Sequence, residues 1–216
     1  MRRFKQTHWT TIMLLVLAVS HLTLSATEYG GQFEEVGIAD EEINFEGCTE
    51  IVCDPLKIRR YTEVVHAIRS YFRKYNRPAL PLSLEAKMMV ISNAIRISFK
   101  EHDFVGFYYF NPERGDSALE LAPYSTIIKT PQPLFRKSEG IVGKCWETLE
   151  AQVAKNIPKM PGYITFDGRS KAEIAIPSFD LEGNFTSVLF IYSELAGVFD
   201  ETDVVCLEEV INYLDY

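Results

Sequence analysis

The pattern between Lys57 and Phe110 constrains the fold more than any other part of the chain. Apolar or aromatic residues stand at Ile58, Tyr61, Val64, Val65, Ile68, Tyr71, Phe72 and Tyr75, the spacing of one face of an amphipathic helix. The other face carries Arg59, Arg60, Glu63, Arg69, Arg73 and Lys74. It reads as a solvated face, with an anion or headgroup contact as the alternative. Asn76-Arg-Pro78 ends this helix, because the residue before a proline is pushed out of the helical region. A second helix is predicted from Ser83, as N-cap, to about Lys100, with Leu84, Met88, Val90, Ile91, Ile95 and Phe99 as its inner stripe. Phe104-Val-Gly-Phe-Tyr-Tyr-Phe110 is then dense in strand formers and stops at Asn111-Pro112. It pairs with Ser117–Leu121 across a Gly-Asp turn as a predicted hairpin.

The rest of the pattern completes an α+β fold. Tyr124 to Lys137, with Pro123, Pro131 and Pro133 in and around it, reads as a loop or broken edge. Ser138 is expected to cap a short helix through Leu149, followed by a strand at Gln152–Lys155 and a loop over 156–170. Two strands follow, Ala172–Ile176 and Phe185–Tyr192, joined by the turn Asp180-Leu-Glu-Gly-Asn184. Asp200 caps a last helix running to the C-terminus, with Val204, Val205, Leu207, Val210, Ile211 and Leu214 inward. This order predicts a central antiparallel sheet with helices packed on it, two N-terminal and one C-terminal, in one domain over residues 55–216.

Three stretches carry a resemblance: Ser138-Glu-Gly-Ile-Val-Gly143, Pro161-Gly-Tyr-Ile-Thr-Phe-Asp167 and Lys171-Ala-Glu-Ile-Ala-Ile-Pro177. Together they resemble a GAF domain, and within that family the branch that reduces free methionine-R-sulfoxide. That branch reads roughly G-V-C-G, then P-G-H-I-A-C-D, then S-E-I-V-L-P. Sulfoxide reduction by thiols needs one thiolate to attack sulfur and a second to resolve the sulfenic intermediate. The resemblance puts Phe166 where the attacking cysteine would stand and Val142 where a resolving one would. The upstream segment that should hold another falls within Tyr124–Lys129, which has no cysteine.

On the ligand side, the resemblance implies that Glu173 helps to hold an ammonium group. It implies two further carboxylates in a strand like V-L-D-I-D-S, where this chain reads Val188-Leu-Phe-Ile-Tyr-Ser193. Phe190 and Tyr192 replace both. The implied ligand site therefore comprises Glu173, Asp167, Phe166, Tyr163, Phe190 and Tyr192. Its ligand would be more apolar or flatter than an amino acid, or the rings would fill the pocket themselves. Asp167 has a plainer reading as the cap of a turn beside Gly168.

The N-terminus reads as a secretory signal peptide over residues 1–26. Arg2, Arg3 and Lys5 precede the apolar run from Ile12 to Val19, and Ser25-Ala26 offers a cleavage site. An uncleaved membrane anchor is the alternative. Residues 27–54 hold nine acidic side chains and no Lys or Arg, and read as a flexible acidic arm. Loss of the signal would take the net charge from −8 to −11. A nucleic-acid role would want the opposite sign, so no nucleic-acid partner is expected.

Cys48 and Cys53 could close a small disulfide loop in an oxidising compartment. Cys145 and Cys206 read as buried, inert thiols, leaving open a bridge between them or a reactive Cys145. On the first of these readings Cys145→Ser should leave folding nearly unchanged. His8, His21, His66 and His102 form no metal-binding pattern, so no metal and no cofactor is expected. Asn184-Phe-Thr186 is an N-glycosylation sequon in the predicted turn.

The residues thus support an exported, non-catalytic GAF-like protein that binds a small molecule or a protein partner through the old substrate cleft. A divergent methionine-R-sulfoxide reductase, and a structural protein that dimerises with its pocket packed shut, are the alternatives.

Overall fold

The computed structural model describes residues 43, 45–49, 53–111, 118–126, 132–159 and 168–215. Helix α1 spans Pro55–Tyr75 and starts on Asp54, whose carboxylate accepts from Leu56 N at 2.8 Å, with proline in the first turn. Helix α2 spans Leu84–Ser98 and starts on Ser83, whose Oγ accepts from Ala86 N at 3.2 Å. Helices α3 (Gly140–Thr148) and α4 (Glu201–Ile211) follow, and a 3-10 turn at Asn212–Asp215 ends the described chain, so α4 is shorter than its apolar pattern predicts. Asp200 caps α4 with a reciprocal bond: Asp203 at the third helical position accepts from Asp200 N at 2.8 Å.

Six strands form one antiparallel sheet: β1 Phe104–Phe110, β2 Leu119–Thr126, β3 Leu134–Phe135, β4 Gln152–Ala154, β5 Ala172–Phe179 and β6 Phe185–Ser193. They lie in the order β3-β2-β1-β6-β5-β4. The expected α+β architecture is therefore present, with two corrections. Strand β2 runs on through Pro123 to Thr126, where the prolines suggest a loop. The register explains it: Gly106 pairs with Tyr124 and Tyr108 with Leu121, so Ala122 and Pro123 together oppose a single residue. The missing N–H of Pro123 falls at that bulge and costs the ladder nothing. The second correction is Ser138, which does not cap α3. It takes a left-handed conformation (φ 64°) and its Oγ donates to Glu147 Oε2 at 2.6 Å, while Glu139 holds the cap position without a side-chain cap bond.

Alternation along the strands splits the interior in two. Val105, Phe107, Ile174, Ile176, Leu189 and Ile191 face α1, α2 and α4, meeting Tyr61, Ile68, Met88, Ile91, Ile95 and Leu207. Phe104, Tyr108, Ala175, Val188, Phe190 and Tyr192 face the other way, toward Ile141, Val142, Cys145 and Trp146 of α3.

Packing on the helical side reaches back before α1, into the segment read as an arm. Phe45 is buried in that core, and Gly47 lies so close to α4 that a Cβ there would stand 2.9 Å from the Val205 methyls. Cys48 and Cys53 are joined in a disulfide, as their spacing suggested, with Cα atoms 5.5 Å apart. Asp54 N donates to Thr202 Oγ1 at 3.0 Å, and Lys57 Nζ bonds Asp200 Oδ2 at 2.8 Å and Asp203 Oδ2 at 2.5 Å. Tyr61 OH donates to the same buried Asp203 at 2.9 Å. The start of α1 is thereby tied to the start of α4. Reduction of the disulfide is expected to cost roughly 2 kcal/mol, the loop-entropy value for so short a ring. The check is the urea midpoint with and without a thiol reductant, which should match that of Cys48→Ser with Cys53→Ser.

Candidate functional site

The face of the sheet under α3 brings together three of the residues singled out by sequence: Glu173 on β5, and Phe190 and Tyr192 on β6. Glu173 pairs in register with Tyr192 on one side and Ala154 of β4 on the other, and Ala175 pairs with Phe190. Glu173 is 2% exposed, Phe190 1% and Tyr192 0%. Tyr163, Phe166 and Asp167 lie outside the described residues.

Pattern reasoning missed the partners of these rings. Phe104 and Tyr192 are parallel, 5.9 Å between centroids and 1° between planes, and Phe190 meets Phe104 at 5.8 Å. Phe135 of β3 packs edge-on against Tyr108 at 4.8 Å and against Phe190 at 6.1 Å. The signal was present in the alternation of Phe104–Phe110, which places Phe104, Gly106 and Tyr108 on one face. Gly106 makes the arrangement feasible: a Cβ there would stand 2.5 Å from Tyr124 Cβ and 2.8 Å from Phe104 Cζ. Tyr108 OH donates to the Gln132 carbonyl at 2.8 Å, and burial pushes its pKa up. Gln132 Nε2 donates in turn to Leu134 O and Glu139 Oε1.

From above, Val142 and Cys145 of α3 press on this face, both at 0% exposure. Trp146 is covered by Lys137, whose Nζ lies 5.0 Å from the ring.

No protein-family model matches the chain. A free methionine-R-sulfoxide reductase of Saccharomyces cerevisiae is 27% identical over 113 residues, which is 52% of this chain and 61% of that protein. The match thus spans about three-fifths of the relative's length. Among solved structures, the free methionine-R-sulfoxide reductase of Neisseria meningitidis in complex with its substrate is 26% identical, with a TM-score of 0.63. That likeness covers 74% of this chain and 88% of the reductase. A structure of a GAF domain, 20% identical, covers 82% of this chain and 97% of its own with a TM-score of 0.62. The chain folds as a GAF domain. It stands near the free methionine-R-sulfoxide reductase branch.

The thiols of this GAF domain are poorly placed for redox work on the α3 face. Cys145 is a free cysteine, and burial pushes its pKa up to about 12, so it stays a thiol at neutral pH. Cys206 is likewise free and raised to about 12, chiefly by burial and then by the neighbouring Asp203. It belongs to the core on the opposite side of the sheet, which removes the bridge between the two that spacing had left open. The Cys48–Cys53 disulfide packs on that far side as well. The full burial of Cys145 also corrects one expectation. Serine there would bury a hydroxyl among apolar neighbours at a cost of about 1–3 kcal/mol, so alanine is the milder replacement.

Proposed function

We propose that this chain is an exported, non-catalytic GAF domain that binds through the face formed by β5, β6 and α3. The observation that carries this reading is the state of that face. Its one described thiol, Cys145, is buried and protonated, and aromatic rings occupy the two positions where the resemblance implies ligand-holding carboxylates. A face of Phe104, Tyr108, Phe190 and Tyr192 beside the acidic Glu173 suits an apolar or flat small molecule better than a zwitterionic amino acid. The Cys48–Cys53 bond and the basic-then-apolar layout of residues 1–26 both suit an oxidising, exported setting.

A second reading is favoured by one specific observation: Phe104, Phe190 and Tyr192 are each at 1% exposure or less. Rings packed that tightly on one another suit a filled pocket, with the domain acting through a protein partner or a second copy of itself.

A native mass spectrum of the mature protein, purified without reductant, separates these readings. Extra mass lost on denaturation supports a bound small molecule; the bare polypeptide mass supports the filled pocket. Catalysis is tested by supplying free methionine-R-sulfoxide with a dithiol reductant. Wild type and Cys145→Ala are expected to show the same absence of turnover above background. Turnover in wild type that Cys145→Ala abolishes would replace this reading with that of a divergent reductase.

A further inference from the structure

The β5–β6 turn carries a feature that the binding face does not use. It holds the single Asn-x-Ser/Thr sequon of the whole sequence, Asn184-Phe185-Thr186. We infer that Asn184 is the attachment point of an N-linked glycan, which covers the apolar tip of the β5–β6 hairpin. This inference rests on the export reading above, because the modification needs the lumen of a secretory compartment.

The turn is built to present this asparagine. Asp180 Oδ1 accepts from Glu182 N at 3.1 Å and from Asn184 N at 2.8 Å, and Gly183 turns the chain at φ +82°. Apart from its own chain neighbours, nothing lies within 4 Å of where a Cβ on Gly183 would stand, so no other part of the fold crowds the turn there. Asn184 itself is exposed. Its Nδ2 donates to Asp180 Oδ2 at 3.1 Å. An N-linked asparagine keeps one hydrogen on Nδ2, so a donor for Asp180 remains after modification.

The surface around the turn supplies an independent reason for a cover. Leu181, at the tip, is 83% exposed, the most exposed large apolar side chain among the described residues. Phe179 is 36% exposed and packs edge-on against Phe185 at 6.3 Å. A glycan rooted one to five residues away shields this apolar tip from water and from other chains.

The chemistry is a group transfer from a polyprenyl-diphosphate-linked oligosaccharide. A bond forms between Asn184 Nδ2 and the anomeric carbon as the bond from that carbon to the diphosphate oxygen breaks. The lipid diphosphate leaves with the electron pair, and Nδ2 gives up one proton. In the folded hairpin Thr186 Oγ1 is engaged, donating to Ser178 O at 3.2 Å. Transfer therefore precedes closure of β5 on β6, while that hydroxyl is available to the transferase.

The test is to express the full chain, residues 1–216, in a cultured animal cell and to recover it from medium and cell fractions. Intact mass is read before and after treatment with an amidase that removes N-glycans. The secreted wild type should lose the mass of one glycan and leave aspartate at position 184. Asn184→Gln and Thr186→Ala should carry no removable mass, whereas Thr186→Ser should retain it. Secreted protein that lacks its leader yet shows no removable mass would overturn the glycan and leave export standing. Unmodified protein kept in the cytosol with residues 1–26 still attached would overturn export, and the glycan with it.

Discussion

Acidification from pH 6.5 toward pH 3 is expected to strip about 5 kcal/mol from the stability of this domain through one buried histidine, at roughly 1.4 kcal/mol per pH unit. The source is His102, between α2 and β1. Its ring is 1% exposed, stacked on Phe99 at 4.8 Å and tilted against Phe199 at 5.2 Å, and its Nδ1 has no hydrogen-bond partner. Burial lowers its pKa from 6.5 to about 3, with Arg60 and Lys57 adding to that and Glu101 opposing it. The unfolded chain takes up a proton below pH 6.5 and the folded one does not until about pH 3, so the unfolded state binds more protons throughout that window. Stability is whole above pH 6.5 and drains away as the pH falls.

Carboxylates modify the lower end of the profile. Burial raises the pKa of Asp203, Glu208 and Asp215, so these protonate more readily in the folded state and soften the loss in the carboxyl range. The Arg60 bond to Glu101 lowers that group, which adds to the loss further down. The upper part of the slope, from pH 6.5 to about 5, belongs to His102. The measurement is the urea midpoint against pH for wild type and His102→Phe. The variant should hold a flat midpoint over that upper interval. A wild-type profile as flat as the variant's would mean that the imidazole is solvated. A domain with only about 5–15 kcal/mol in hand would feel a loss of this size as partial or complete acid unfolding.

How far the sequence discloses this molecule depends on the range of the forces concerned. Helix α1, β1 and the start of α4 follow from local chemistry, a 3.6-residue stripe over 55–75, a run of aromatics and the Asp200 cap. Strand β2 defeats local reading because Pro123 is harmless only opposite the bulge that β1 supplies. Two-residue β3 is likewise set by pairing with Leu119 and Glu120, with no periodicity of its own. At the site, Glu173, Phe190 and Tyr192 are legible from motif resemblance and alternation sets Phe104 on one face with Tyr108, while strand order and register alone bring Phe135 to them. The burial of His102 is also invisible beforehand, since it follows from the meeting of two phenylalanines, Phe99 and Phe199, that are far apart in the chain.

The largest effect of a single methyl group is expected at Gly143. This glycine lies in the middle of α3, where alanine would ordinarily favour the helix by about 1 kcal/mol. Here a Cβ would stand 2.1 Å from the carbonyl oxygen of Arg136 and 3.0 Å from Ser138 N. Both are backbone atoms, so no rotamer change relieves the overlap. The segment from Arg136 to Ser138 is itself pinned, by the Arg136 N bond to Glu139 Oε2 at 3.0 Å and by Ser138 to Glu147. Helix α3 must therefore lift, and it carries Val142, Cys145 and Trp146 off the aromatic face as it goes. Gly143→Ala is expected to cost about 3 kcal/mol or more, at the upper end for overpacking. Calorimetry gives the stability, and the rate at which a soluble disulfide reagent titrates Cys145 gives the cause. The Cys145 thiol should be silent in the native wild type and reactive in Gly143→Ala, measured against a Cys206→Ala background. An equally unreactive Cys145 in a destabilised Gly143→Ala would place the damage in the Arg136 turn and leave α3 seated on the sheet.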